Sequence, residues 1–142
     1  MSRLVWAICC ERPIVDAETN SLSLINIIEE LSVPAPEAVL GERVHIISLW
    51  EKAADLEGRE DAVRYRVTLT TPDGEVVGRS VVIDNAIPPT HARLRSVLAL
   101  EGIPLKGGGR YAWRVEIEKD EQWEAISELP LIVKISELAP PA

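Results

Sequence analysis

The residues able to do chemistry are few. The cysteines are Cys9 and Cys10, and the histidines are His45 and His91. A thiol beside an imidazole and an acid can form a nucleophile with its base, so Cys9 or Cys10 with His45 or His91 would make an enzyme if the fold joined them. No serine sits in a nucleophile-elbow pattern such as Gly-x-Ser-x-Gly. A zinc site needs three or four ligands, and neither histidine has a second His or a Cys beside it in sequence. His45 lies in the apolar run Val44-His45-Ile46-Ile47 and reads as a satisfied, partly buried ring; His91 follows Pro88-Pro89-Thr90 in a loop. Neighbouring strand residues face opposite ways, which makes a Cys9–Cys10 disulfide geometrically poor. Two small core or half-buried thiols in a reducing compartment are expected, with a strained vicinal disulfide or redox pair as the alternative. Acidic residues gather at 51–61 and 116–128 without the ordered spacing of a calcium loop, and read as solvated faces. Lys106-Gly107-Gly108-Gly109-Arg110 leads into a strand rather than a helix, so it reads as a turn and not a phosphate cradle. No metal, cofactor or catalytic set is expected.

Two features point instead to contact with a partner. Arg64 and Arg66 share one face of a strand, as do Arg93 and Arg95 on another, with Arg79 and Arg114 as additions. Gathered in one sheet, they would form a cationic stripe for a carboxylate- or phosphate-bearing partner. The alternative is cross-strand pairing with Glu116, Glu118 and other acids, which is worth little energetically. Trp123, within Lys119-Asp120-Glu121-Gln122-Trp123-Glu124, reads as a residue of a charged connection. It either anchors a partner or a sugar, or folds back over the end of the domain. Trp6, Trp50 and Trp113 occupy strand positions compatible with core packing.

Strands must position these groups. Tyr111, Trp113, Val115 and Ile117 alternate with Ala112, Arg114, Glu116 and Glu118, and residues 63–70 repeat the design. Thr71-Pro72-Asp73-Gly74 then forms a turn into a return strand over 76–83. Further strands are expected over 4–10, 22–33, 43–51, 92–100 and 129–136, with a short helical turn around 37–41 or 51–57. Segment 22–33 is apolar on both faces except at Asn26, which suggests a central strand, a bulge or a crossing between sheets. The pattern predicts one all-β domain over residues 1–137, an antiparallel β-sandwich of about seven to nine strands, immunoglobulin-like or jelly-roll-like. Residues 138–142 are expected to fray. The chain lacks Phe, so Val, Ile, Leu and a few Trp and Tyr must form the core.

The order of motifs adds a resemblance. Ala7-Ile8-Cys9-Cys10-Glu11 is followed by Asp16, a polar turn at Thr19-Asn20, the run Leu22–Glu29 and a break at Pro34. The Thr71–Gly74 hairpin, Gly109-Arg110-Tyr111-Ala112-Trp113-Arg114-Val115 and a final Pro130-Leu131-Ile132-Val133 strand complete it. The arrangement resembles a bacterial family of small uncharacterised proteins, a domain of unknown function. The resemblance implies a single β-sandwich domain and supplies no catalytic residues.

The 142 residues carry a formal net charge of −8, which argues against generic nucleic-acid binding. No apolar run approaches the roughly 18–20 residues of a membrane helix. Residues 3–10 are interrupted by Glu11, Arg12 and Pro13 without a cleavage pattern, so no signal peptide is read and a cytoplasmic location is expected. A non-catalytic interaction or accessory module is therefore expected, with an unknown protein partner or a homodimer as its contact. The candidate contacts are Arg64, Arg66, Arg93, Arg95, Arg114 and Trp123. The alternatives are a small-ligand or carbohydrate-binding domain, and an enzyme using Cys and His.

Overall fold

The computed structural model describes residues 2–41 and 43–136, so the expected fraying at 138–142 lies outside the described residues. The protein is all-β. Its strands are β1 (Arg3–Val15), β2 (Leu22–Ile27), β3 (Glu30–Val33), β4 (Val39–Leu40), β5 (Val44–Glu51) and β6 (Asp61–Thr70). There follow β7 (Val76–Arg79), β8 (Ile83–Ile87), β9 (Arg93–Leu100), β10 (Ile103–Pro104), β11 (Gly109–Lys119) and β12 (Gln122–Ile135). One sheet has the order β2-β1-β5-β9; a larger one runs β3-β12-β11-β6-β7 with β8 also on β6; β4 and β10 form a small pair. All pairings are antiparallel except β3 with β12.

Twelve strands are described rather than seven to nine, because expected strands break. Segment 22–33 leaves the first sheet after Ile27 and joins the second at Glu30. Asn26 permits this by adopting φ 52°, a left-handed conformation that Asn tolerates better than most residues. Its side chain donates to Glu11 Oε2 at 2.6 Å, and Ile28 N–H donates to Cys9 O at 2.8 Å. The return strand breaks at Ser80, whose Oγ accepts from Val67 N–H at 2.9 Å. The segment 37–41 carries β4 instead of a helical turn; a single 3-10 turn occupies Ala54–Leu56.

The larger sheet follows the alternation closely. Val63, Tyr65, Val67 and Leu69 of β6 and Tyr111, Trp113 and Val115 of β11 all point into one buried cluster. From the first sheet Cys9, Val44, Ile46, Trp50 and Leu98 enter the same cluster. The Trp50 and Tyr65 rings meet at 5.1 Å between centroids, and the Tyr65 hydroxyl and Ser96 Oγ are hydrogen-bonded at 2.5 Å. Tyr65 belongs to one sheet and Trp50 and Ser96 to the other, so these contacts join the sheets. Tyr111 fixes the turn before β11, accepting from Lys106 N–H at 2.8 Å and donating to Gly107 O at 2.7 Å. Gly109 is required beside it: its φ is 129°, and a Cβ there would lie 2.7 Å from Pro72 Cγ.

The β11–β12 connection corrects the sequence reading. Lys119 pairs with Gln122, so only Asp120 and Glu121 form the turn, both with positive φ. That is the two-residue turn whose twist matches flanking strands. Trp123 therefore stands on β12 opposite Glu118, not in a charged loop.

Candidate functional site

The outer faces of the two sheets differ in chemistry. On the larger sheet, charges pair across strands. Arg64 Nε meets Glu118 at 2.7 Å and its Nη1 meets Asp84 at 3.1 Å. Arg66 Nε meets Glu116 at 2.8 Å, and Arg114 Nε lies 3.3 Å from Glu128. The Arg66 guanidinium also lies over the Trp123 ring, 4.3 Å from its centroid. One face of the indole is thus occupied where a sugar would stack.

Arg93 and Arg95 lie on β9, in the other sheet. The six candidate residues do not form one surface. The arginine stripe fails because local alternation assigns residues to a face of their own strand, while long-range pairing assigns the strand to a sheet. Arg79 joins the first group's sheet, opposite Thr68.

The outer face of β2-β1-β5-β9 is apolar through its middle. Register places its side chains in rows across the strands. Arg95 stands opposite Leu49, and Leu49 opposite Trp6. The next row is Val97, Ile47 and Ile8, and the next Ala99, His45 and Cys10. At the other end is a charged row, Arg93, Glu51 and Arg3. The hairpin of β1 and β2 curls over this face, so Val15, Leu22 and Leu24 line one concavity with Trp6, Ile8, Leu49 and Val97. Its volume is about 710 Å³. Arg95 Nη2 donates to Asn20 O at 3.3 Å, linking the β9 edge to the hairpin tip. Asp16 holds that tip by accepting from Glu18 N–H at 2.8 Å and Thr19 N–H at 3.0 Å. The Thr19 and Glu18 hydrogen bonds hold its carboxyl below the usual aspartate value. Beside the concavity, Arg3 and then Arg93 hold the Glu51 carboxyl low in the same sense.

Trp6 is therefore not a core residue, unlike Trp50 and Trp113. A signal for this face was present in the sequence. Val5–Cys10 and, apart from Ser48, Ile46–Trp50 are apolar on both sides of their strands, the pattern of strands covered on both faces. Alternation alone could not reveal it.

The thiols are free and buried. Burial, with a smaller contribution from Cys10, pushes the Cys9 thiol up to about 12. Burial also raises Cys10. Cys10 does stand opposite His45 in register, but His45 Nδ1–H donates to Glu11 O at 2.8 Å. A thiol held protonated is a poor nucleophile. His91 lies elsewhere, hydrogen-bonded to the Thr90 hydroxyl at 3.0 Å, in a second concavity that neither cysteine lines. Lys52 lines that concavity too, with Nζ donating to Pro88 O at 2.7 Å. Among the described residues, no group of three His, Cys, Asp or Glu side chains is placed to hold a metal. No helix among them is long and apolar enough to cross a membrane.

The chain matches no protein-family model, and no curated protein matches it. The resemblance drawn from motif order thus rests on those motifs alone. What the arrangement offers chemically is an apolar concave surface with a cationic edge.

Proposed function

We propose that the protein is a non-catalytic interaction module whose docking surface is the concave outer face of β2-β1-β5-β9. One observation carries this reading: side chains suited to a core line an outward face, although a complete buried core already lies between the sheets. Val97 and Val15 are 48% and 49% exposed there. Apolar patches of this kind on a soluble domain mark contact sites. The ion-paired face of the larger sheet is the contrasting, solvated side. We read the pair of sheets as an open sandwich, with β2 curling away from its end. The free thiols support a reducing, cytoplasmic setting.

Selection of short random peptides against the full chain, followed by fluorescence polarisation, tests the proposal. Peptide binding is expected to be lost in Val97→Arg and kept in Arg64→Gln, which alters only the opposite face. Peptides that bind Val97→Arg as tightly as the parent chain would overturn it. Sedimentation of the two proteins reads the homodimer case, in which Val97→Arg would dissociate a self-associated parent.

A further inference from the structure

Resting on that docking reading, we infer that the occupant is a short apolar peptide segment carrying a carboxylate, and that Arg95 receives the carboxylate. The chain has 23 acidic residues against 15 Lys and Arg, yet none of the residues lining this concavity is acidic. Its charged lining is Arg93 and Arg95. Arg93 already meets Glu51 at 3.3 Å. Arg95 has no carboxylate partner among the described residues. Its Nε is buried without a hydrogen-bond partner, and Nη2 has only the 3.3 Å contact to a carbonyl. Nε itself is out of an occupant's reach, so the carboxylate would be received by the terminal Nη groups, which a guanidinium presents as a planar fork for two parallel bonds.

The neighbouring residues set the rest of the occupant. Leu49 and Trp6 continue the row that Arg95 begins, and Val97 starts the next. Apolar side chains flanking the carboxylate would therefore lie on Trp6, Leu49 and Val97. Trp and Arg are also the residue types that most often dominate binding energy at an interface. A second copy fits less well. In an isologous pair each Arg95 would draw on an acid from the same face of the other copy. The adjoining row offers Glu51, which Arg3 and Arg93 already hold at 3.0 Å and 3.3 Å.

The test uses the full chain and fluorescein-labelled peptides from a display selection. Selected peptides are expected to combine apolar side chains with Asp or Glu. Replacing that acid by its amide should weaken binding about ten- to a hundredfold, the range of a charge-assisted hydrogen bond. Arg95→Gln should weaken it by a similar factor, and the amide peptide should then lose little more. The peptide-side change needs no protein variant, so it stands even if Arg95→Gln disturbs the fold. Peptides that Val97→Arg displaces, but that lack an acid or bind Arg95→Gln undiminished, would overturn this inference and leave the docking reading intact. A dimer that Val97→Arg dissociates would do the same, with a second copy as occupant. No peptide sensitive to Val97→Arg, together with a monomer, would overturn both.

Discussion

The Tyr65–Ser96 hydrogen bond is the most exacting point at which to test how the sheets are held together. Tyr65 is 0% exposed and Ser96 4%, and among the described residues each hydroxyl has the other as its hydrogen-bond partner, at 2.5 Å. Tyr65→Phe keeps the ring against Trp50 but leaves the Ser96 hydroxyl buried and unpaired. Ser96→Ala does the reverse to the Tyr65 hydroxyl. Each single substitution should cost about 1–3 kcal/mol, mostly as the desolvation of the stranded group. The double substitution strands neither group, so its cost should fall at least ~1 kcal/mol below the sum of the singles. In a domain of this size ~1 kcal/mol corresponds to roughly 3 °C in Tm. Urea titrations of the four proteins, with the m-value held constant, measure the cycle. Additivity within about 0.5 kcal/mol would show that the hydroxyls do not depend on one another, and the inter-sheet argument would fail.

Other expectations are as direct. Neither thiol should react with a disulfide reagent at pH 8 in the folded protein, since burial raises both and holds Cys9 protonated up to about 12; both should react on unfolding, and rapid native labelling would contradict this. Arg66→Ala should destabilise by about 1–3 kcal/mol, because it strands the largely buried Glu116 and uncovers Trp123; Arg114→Ala, from a more exposed pair, should cost under about 1 kcal/mol, and equal losses would refute the distinction. Asp16 should titrate below an ordinary aspartate. Its contribution to the β1–β2 turn is present at neutral pH and lost as pH falls through that lowered value, so the Glu18 and Thr19 amides should lose protection only there; a normal carboxyl titration by NMR would exclude it.

How far the fold was legible depended on whether a strand has one apolar face or two. In β6 and β11, charged and apolar residues alternate, and the sequence indicated the inward positions Tyr65, Val67, Tyr111 and Trp113. In the middle of β1 and β5, both faces are largely apolar, and alternation cannot choose between them. Trp6 was consequently read only as a strand position compatible with core packing, and the concave face went unseen. Trp123 was misplaced for a different reason: Asp120-Glu121 makes a two-residue turn without the Gly or Asn that usually announces one. The arginine pairs were correctly placed on faces of their strands, but the partition of β6 and β9 between sheets is a long-range property. The break at Asn26 was visible as one polar residue in an apolar run, and a crossing between sheets was one of its expected explanations.

The parallel pairing of β3 with β12 has a consequence for how the chain is made. Glu30 lies beside Ile132, so the larger sheet joins segments about a hundred residues apart in synthesis. During translation, β3 emerges long before its neighbour exists. Until β12 leaves the ribosome, the apolar side chains of Leu31 and Val33 and an open strand edge have no native cover. An early-emerging edge of this kind is a natural landing place for a chaperone, and the place where a prematurely terminated chain would begin to aggregate.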